Sequence, residues 1–284
     1  MSFFRIICPK NPLMETIRKT YKMTPLNIPD SETQPLMIVA HRGRESSLWG
    51  PLEDLFAGVD EVIDLDLNSA TVANVSVENT GSLNMDFGFS LLSGLLKGFG
   101  VELSPFKVAL ENASEISLSF ENVQKKSIGL TTLGKALIDK KINLENPAMH
   151  VFTRSNRKFE MYLISSVLQS NQIMINIEKT TDDSLGVEAP DLGGLTDVSV
   201  ELKETQNKKQ VIAFAGTEPL TFAFSAVELF FDKDGKIKFG ASKILKRNID
   251  GAVEQIAEEP TERSFLEADA PALMGWNSKG AAQD

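Results

Sequence analysis

Gly129-Leu130-Thr131-Thr132-Leu133-Gly134-Lys135 has the spacing of a phosphate-binding loop, two glycines bracketing four residues with a lysine to follow. Such a loop cradles phosphates with backbone N–H groups and brings the lysine to their charge. The next residue breaks the pattern, because Ala136 stands where a Ser or Thr hydroxyl would hold magnesium, and Leu130 and Leu133 make the loop apolar. The single cysteine, Cys8, and the two histidines, His41 and His150, are the other candidates for nucleophilic or metal chemistry. One thiol and two widely separated imidazoles cannot build a Cys/His zinc cage, and no nucleophile signature surrounds any of them. Asp232-Lys233-Asp234-Gly235 opens like a calcium loop but lacks the later acidic ligand, whereas an Asp-Gly hairpin turn accounts for it fully. These residues assemble no catalytic, cofactor-binding or metal-ligating set. A non-enzymatic protein is expected, and among the readings open at this point are a β-sheet scaffold or binding protein and a degenerate phosphate-loop nucleotide-binding protein.

The elements carry a stronger signal. Leu83, Met85, Phe87, Phe89 and Leu91 alternate with Asn84, Asp86, Gly88 and Ser90, giving an extended segment one apolar and one polar face. Period two recurs at Ile116, Leu118 and Phe120, at Ile173, Ile175 and Ile177, at Val198, Val200 and Leu202, and at Phe222 and Phe224. Such strands suit the half-buried sheet of a globular protein, and they also suit a membrane barrel, whose strands need only about 9–11 residues each. Strands are expected at Leu36–Ala40, Val62–Leu67, Val72–Val77, Met161–Leu168 and Ile173–Ile177. Val211–Phe214 is expected to pair with Leu220–Phe224 across a turn at Gly216–Pro219, and Val227–Phe231 with Lys236–Phe239 across Asp234-Gly235. Helices are expected at Asn11–Lys22, Leu91–Gly98, Thr131–Lys141 and Ile249–Ile256.

Charge divides the chain. A net charge of -10 over 284 residues argues against nucleic acid as a partner, since phosphate neutralisation needs a basic surface. Yet the N-terminal end is basic, with Arg5, Lys10, Arg18, Lys19 and Lys22 extended by Arg42 and Arg44. Glu258, Glu259, Glu262, Glu267 and Asp269 mark an exposed linker, followed by an apolar strip from Pro271 to Trp276 that could dock onto the body. No helical span and no secretory signal are readable, so a cytoplasmic protein is expected. Cys8 follows Phe3, Phe4, Ile6 and Ile7 beside Arg5 and Lys10, which suits either a small buried hydrophobe or a thioester-linked acyl chain.

Three stretches, in order, resemble the gasdermins and in particular the short bacterial ones: Pro35–Gly50 (PLMIVAHRGRESSLWG), Met161–Ile177 (MYLISSVLQSNQIMINI) and Gly216–Asp232 (GTEPLTFAFSAVELFFD). The resemblance implies an α+β fold, a twisted, mainly antiparallel central sheet with surrounding helices. It implies a pore-forming body over 1–243 and a linker with an autoinhibitory tail over 244–284, docked through Leu273 and Trp276. A caspase-like protease would cut near Leu245, Arg247, Arg263 or Leu266, converting a cytoplasmic monomer into a homo-oligomeric β-barrel at the cell inner membrane. The outcome implied is cell death in anti-phage abortive defence. The resemblance also implies palmitoylation of Cys8, with no other cofactor. Anionic inner-membrane lipids would be held by Arg5, Lys10, Arg18, Lys19, Arg42 and Arg44. Two hairpins per subunit, around Thr71–Phe120 and Met161–Leu202, would cross the bilayer. Leu83, Met85, Phe87, Phe89 and Leu91 would then face lipid, and Asn84, Asp86, Ser117 and Glu201 would face water.

Overall fold

A computed structural model describes residues 17, 18, 20–42, 45–58, 63, 65–73, 75, 76, 93, 113–153, 159–179, 198–205 and 209–239. They form one eleven-stranded sheet in which every pairing is antiparallel. The strands are β1 (Thr24–Asp30), β2 (Met37–Arg42), β3 (Glu45–Pro51), β4 (Asn68–Thr71), β5 (Val75–Ser76), β6 (Ala113–Glu121), β7 (Gln124–Ser127), β8 (Glu160–Lys179), β9 (Val198–Thr205), β10 (Lys209–Phe231) and β11 (Ile237–Phe239). Helix α1 (Leu130–Leu137) and the short α2 (His150–Thr153) lie between β7 and β8. With few helices around a mainly antiparallel sheet, the α+β expectation holds.

Two strands organise everything else. β8 runs for 20 residues and β10 for 23, side by side. Their lower halves form the body, where β10 pairs β1 and β8 pairs β2 and β7. Both faces are covered there. Met161 and Leu163 join Leu133, Leu137, Met149 and Phe152 from the helical side, while Tyr162 and Ile164 join Leu26, Val39 and Phe224 on the other. Burial on both faces is why this stretch reads as a continuous apolar run rather than an alternation.

α1 buries Leu133 and Leu137, four residues apart on one face, as its pattern requires. The Asp234-Gly235 hairpin is present, with Gly235 at φ 78 and Asp232 Oδ1 accepting from the N–H groups of Asp234 and Lys236 at 3.0 Å each.

Three expectations fail. Val211–Phe214 and Leu220–Phe224 do not pair with each other, because both belong to β10 and both pair with β8. Gly216–Pro219 is an outward bulge within that strand, opposite Asn171 alone, and Pro219 sits where no ladder hydrogen bond is required of it. Likewise Met161–Leu168 and Ile173–Ile177 are parts of one strand. Ile63 and Leu65–Leu67 carry no strand; after β3 the next strand among the described residues begins at Asn68. β1 was not expected at all, since Pro25 and Pro29 argue against a strand interior, but it occupies an edge, where proline is tolerated.

Candidate functional site: a ribbon with one apolar face

Above the body, the upper halves of β8 and β10 continue with new neighbours, β6 joining β8 and β9 joining β10. Residues directly opposite in an antiparallel ladder share a face, so register reveals what crosses the ribbon. One row runs Val75, Phe120, Ile173, Phe214, Val200 across five strands. The next runs Leu118, Ile175, Ile212, Leu202. Both are wholly apolar.

Rows on the opposite face read differently: Ser119, Met174, Ala213, Glu201; Ser117, Asn176, Val211, Lys203; and Glu121, Gln172, Ala215, Ser199. Val75, Leu118, Phe120, Ile173 and Ile175 of the apolar rows are at 1–3% exposure, while on the opposite face Ala213 alone among the described side chains is buried. Met174 and Asn176 are only half-buried, and Asn176 Nδ2 donates to Ser117 Oγ at 3.3 Å. Four alternating strands of separate origin are therefore held in the one register that merges their apolar faces. A one-residue slip of any of them would mix the faces.

Ser117 and Glu201, expected to face water in the inserted state, belong to adjacent rows of the register. β10 stands between β8 and β9 in this structure, so the two segments of the membrane hairpin expected over Met161–Leu202 are not paired with each other before insertion. Lateral hydrogen bonding selected the partner here, and sequence proximity did not. Arg42 closes β2 with its guanidinium 4.6 Å from the Phe159 ring centroid, a cation–π contact. Arg18 is half-buried, and burial lowers its pKa, though guanidinium stays charged far above neutral pH. Cys8, Arg5, Lys10, Lys19, Arg44, Asn84, Asp86, Leu83, Met85, Phe87, Phe89, Leu91, Leu245, Arg247, Arg263, Leu266, Leu273 and Trp276 lie outside the described residues, as do the helices expected at Leu91–Gly98 (but for Ser93) and Ile249–Ile256.

The enzymatic alternatives lose their geometry. Gly129–Lys135 is no loop: α1 begins at Leu130, and Leu133 N–H donates to Gly129 O at 2.9 Å, spending an amide that a phosphate loop would offer. His41 Nδ1 lies 2.8 Å from Ser46 Oγ on the β2–β3 hairpin, while His150 starts α2. Among the described residues no three His, Cys, Asp or Glu side chains converge as metal ligands, and no helix is long and apolar enough to cross a membrane.

Sequence reasoning missed a buried polar seam in the two long strands. Ser165 and Ser166 meet Ser225, and Gln169 Nε2 donates to Thr221 Oγ1 at 3.0 Å, which donates on to Thr33 O at 2.7 Å. Its trace in the sequence is a Ser-Ser pair and a Gln inside an otherwise apolar run.

Sheet and ribbon together define a class: α+β proteins built on one large antiparallel sheet with long central strands and few helices. The Bacterial Gasdermin Family model matches residues 26–236. A gasdermin from a Desulfuromonadales bacterium is 25% identical over 224 residues, 78% of this chain and 83% of that protein. One from Vitiosangium is 21% identical over 218 residues, 77% and 80% of the two chains. The solved structure of a bacterial gasdermin from Bradyrhizobium tropiciagri superposes with a TM-score of 0.52 at 15% identity, covering 81% of this chain and 91% of that one. The chain belongs to the bacterial gasdermin family, a family of pore formers rather than enzymes.

Proposed function

We propose that this protein is an autoinhibited pore former whose ribbon becomes part of a membrane β-barrel after proteolysis. The observation that carries this reading is the pair of apolar rows across β6, β8, β10 and β9, one of them extended onto β5, opposite rows containing Ser117, Asn176, Gln172 and Glu201. A barrel wall needs that division, with apolar side chains toward lipid, polar ones toward water, and every backbone group satisfied by a neighbouring strand. Residues 172–179 rise about 26 Å at about 3.3 Å per residue. Tilted by about 40°, such a strand falls a few residues short of the apolar band of about 25 Å, so the strands must lengthen on insertion.

The body at 1–243 is restrained by the tail at 244–284, docked through Leu273 and Trp276. A caspase-like protease cuts near Leu245, Arg247, Arg263 or Leu266. Docking then becomes bimolecular, the effective concentration of about a millimolar is lost, and the tail leaves. A palmitoyl chain on Cys8 together with Arg5, Lys10, Arg18, Lys19, Arg42 and Arg44 holds the freed body on anionic lipid, one acyl chain plus a basic patch being the usual minimum for stable anchoring. Protomers that are cytoplasmic monomers before cleavage assemble at the inner membrane, with Leu83, Met85, Phe87, Phe89 and Leu91 adding a further lipid-facing strand. The pore kills the cell, in keeping with abortive defence against phage.

Dye-loaded anionic liposomes test this. Chain truncated after residue 243 is expected to release dye, and intact chain to release little. Vesicles that stay sealed with the truncated chain would refute the reading.

A further inference from the structure

We propose that the sheet is creased along one line crossing its long strands, and that the ribbon above this crease swings as a unit about the body below. Its role as the pivot for membrane entry rests on the pore reading; the crease itself does not.

Every strand that reaches this level is broken or irregular there. β6 ends at Glu121, opposite Gln172; Asn122 turns with φ 51; and the chain re-enters the sheet as β7 at Gln124, opposite Gln169. β8 passes through Ser170 and Asn171 with no partner on that side. On its other side, Gln172 faces Ala215 and Ser170 faces Leu220, so 216–219 bulge outward with Thr217 and Glu218 exposed. The outer strands change at the same height. β9 reaches β10 as far as Gly216, and β1 takes over only at Thr221. No strand pair carries an unbroken ladder from ribbon to body.

Side chains replace the missing ladder. Ser170 Oγ donates toward Glu121 O and Gln172 O and accepts from Gln172 N–H at 3.0 Å, while Asn122 Nδ2 donates to Gln172 Oε1 at 2.8 Å. A hydroxyl can trade such partners as it rotates, so the joint bends without stranding a backbone group. Just below it lies the seam of Ser165, Ser166, Gln169, Thr221 and Ser225, where Gln169 Oε1 is buried with no hydrogen-bond partner. Across the line Phe120 stacks flat on Phe222, centroids 3.9 Å apart and planes 6° from parallel, a contact that slides rather than interlocks. The body's two apolar clusters, one around Leu133 and Leu163 and one around Ile164 and Phe224, include no residue from above the line.

Pulsed electron–electron resonance on the full-length chain in solution tests the crease. Spin labels go on Thr132→Cys in the body and Asn176→Cys in the ribbon, in a Cys8→Ser background, with Thr132→Cys and Glu32→Cys as a pair confined to the body. The pair across the crease is expected to give a distance distribution at least about twice as wide as the body pair, since opening within one rigid unit broadens both alike. Ser170→Ala should widen the first and leave the second unchanged. Equal widths, or equal broadening by Ser170→Ala, would overturn the proposal. Dye release by the truncated chain reports separately on the pore reading. If it leaks, Ser170→Ala should shorten the lag about fivefold, the factor that one hydrogen bond's worth of stability gives. An unchanged lag would overturn the pivot role even where the widths support the crease.

Discussion

Two glycines lie near the same hairpin and should respond to alanine in opposite directions. Gly134 sits inside α1, where a Cβ would meet only the Phe239 ring, at 4.0 Å, an ordinary contact. Alanine there removes the backbone entropy that glycine loses in a helix and should stabilise by about 0.5–1 kcal/mol. Gly235 stands at φ 78, and a Cβ there would strike the Ile142 carbonyl. That carbonyl has no room to yield. Ile142 is buried, its own N–H donates to Gly235 O at 2.9 Å, and Lys141 and Lys236 form a bridge beside it. A left-handed alanine costs about 1–2 kcal/mol before any clash, so a loss of about 2–4 kcal/mol is expected for Gly235→Ala. Thermal unfolding followed by tryptophan fluorescence should move up by about 1–3 °C for Gly134→Ala and down by about 4–10 °C for Gly235→Ala. A fall for Gly134→Ala would refute the helical placement of 130–137 and reopen the phosphate-loop reading of Lys135.

Other consequences follow from the same geometry. Desolvation pushes the Asp232 pKa up and is the largest single influence on it, but the backbone N–H groups of Lys236 and Asp234 and the charges of Lys238 and Lys236 together outweigh it and hold the carboxyl below its ordinary value. A depressed folded pKa contributes stability that is present above the unfolded value near about 4 and lost as pH falls through the folded one, so the hairpin should loosen only in strong acid. The Gly235 amide, followed by NMR through an acid titration, should shift with a midpoint below that of an exposed Asp, and Asp232→Asn should abolish that shift. Asn176→Lys adds a positive charge to the polar face of the ribbon while leaving Ile175 and Ile173 in place. Pores of this variant should still form in planar bilayers but with reversal potentials moved toward anion preference; loss of all conductance would place Asn176 against lipid instead. Intact mass of chain purified from its host should fall by one palmitoyl group after hydroxylamine, and no such fall should occur for Cys8→Ser.

The alternation at Ile116, Leu118 and Phe120, at Ile173 and Ile175, and at Val198, Val200 and Leu202 was legible because one half-covered face leaves a period of two in the sequence. α1 and the Asp234-Gly235 turn were legible for the same local reason, since hydrogen bonds within a few residues decide both. So was the family, through three ordered stretches. Gly216-Thr217-Glu218-Pro219 has every local mark of a turn, yet it became a bulge because β8 runs straight past it and offers partners on both sides. No local rule contains that information, because the energy of a ladder depends on a strand that may lie anywhere in the chain. The same cause hid β1, whose prolines are admissible only at an edge, and put β10 between β8 and β9. Composition and periodicity determined which segments extend and which face of each is apolar. Tertiary pairing alone decided that these faces would be aligned into common rows, because register is a property of two strands and never of one.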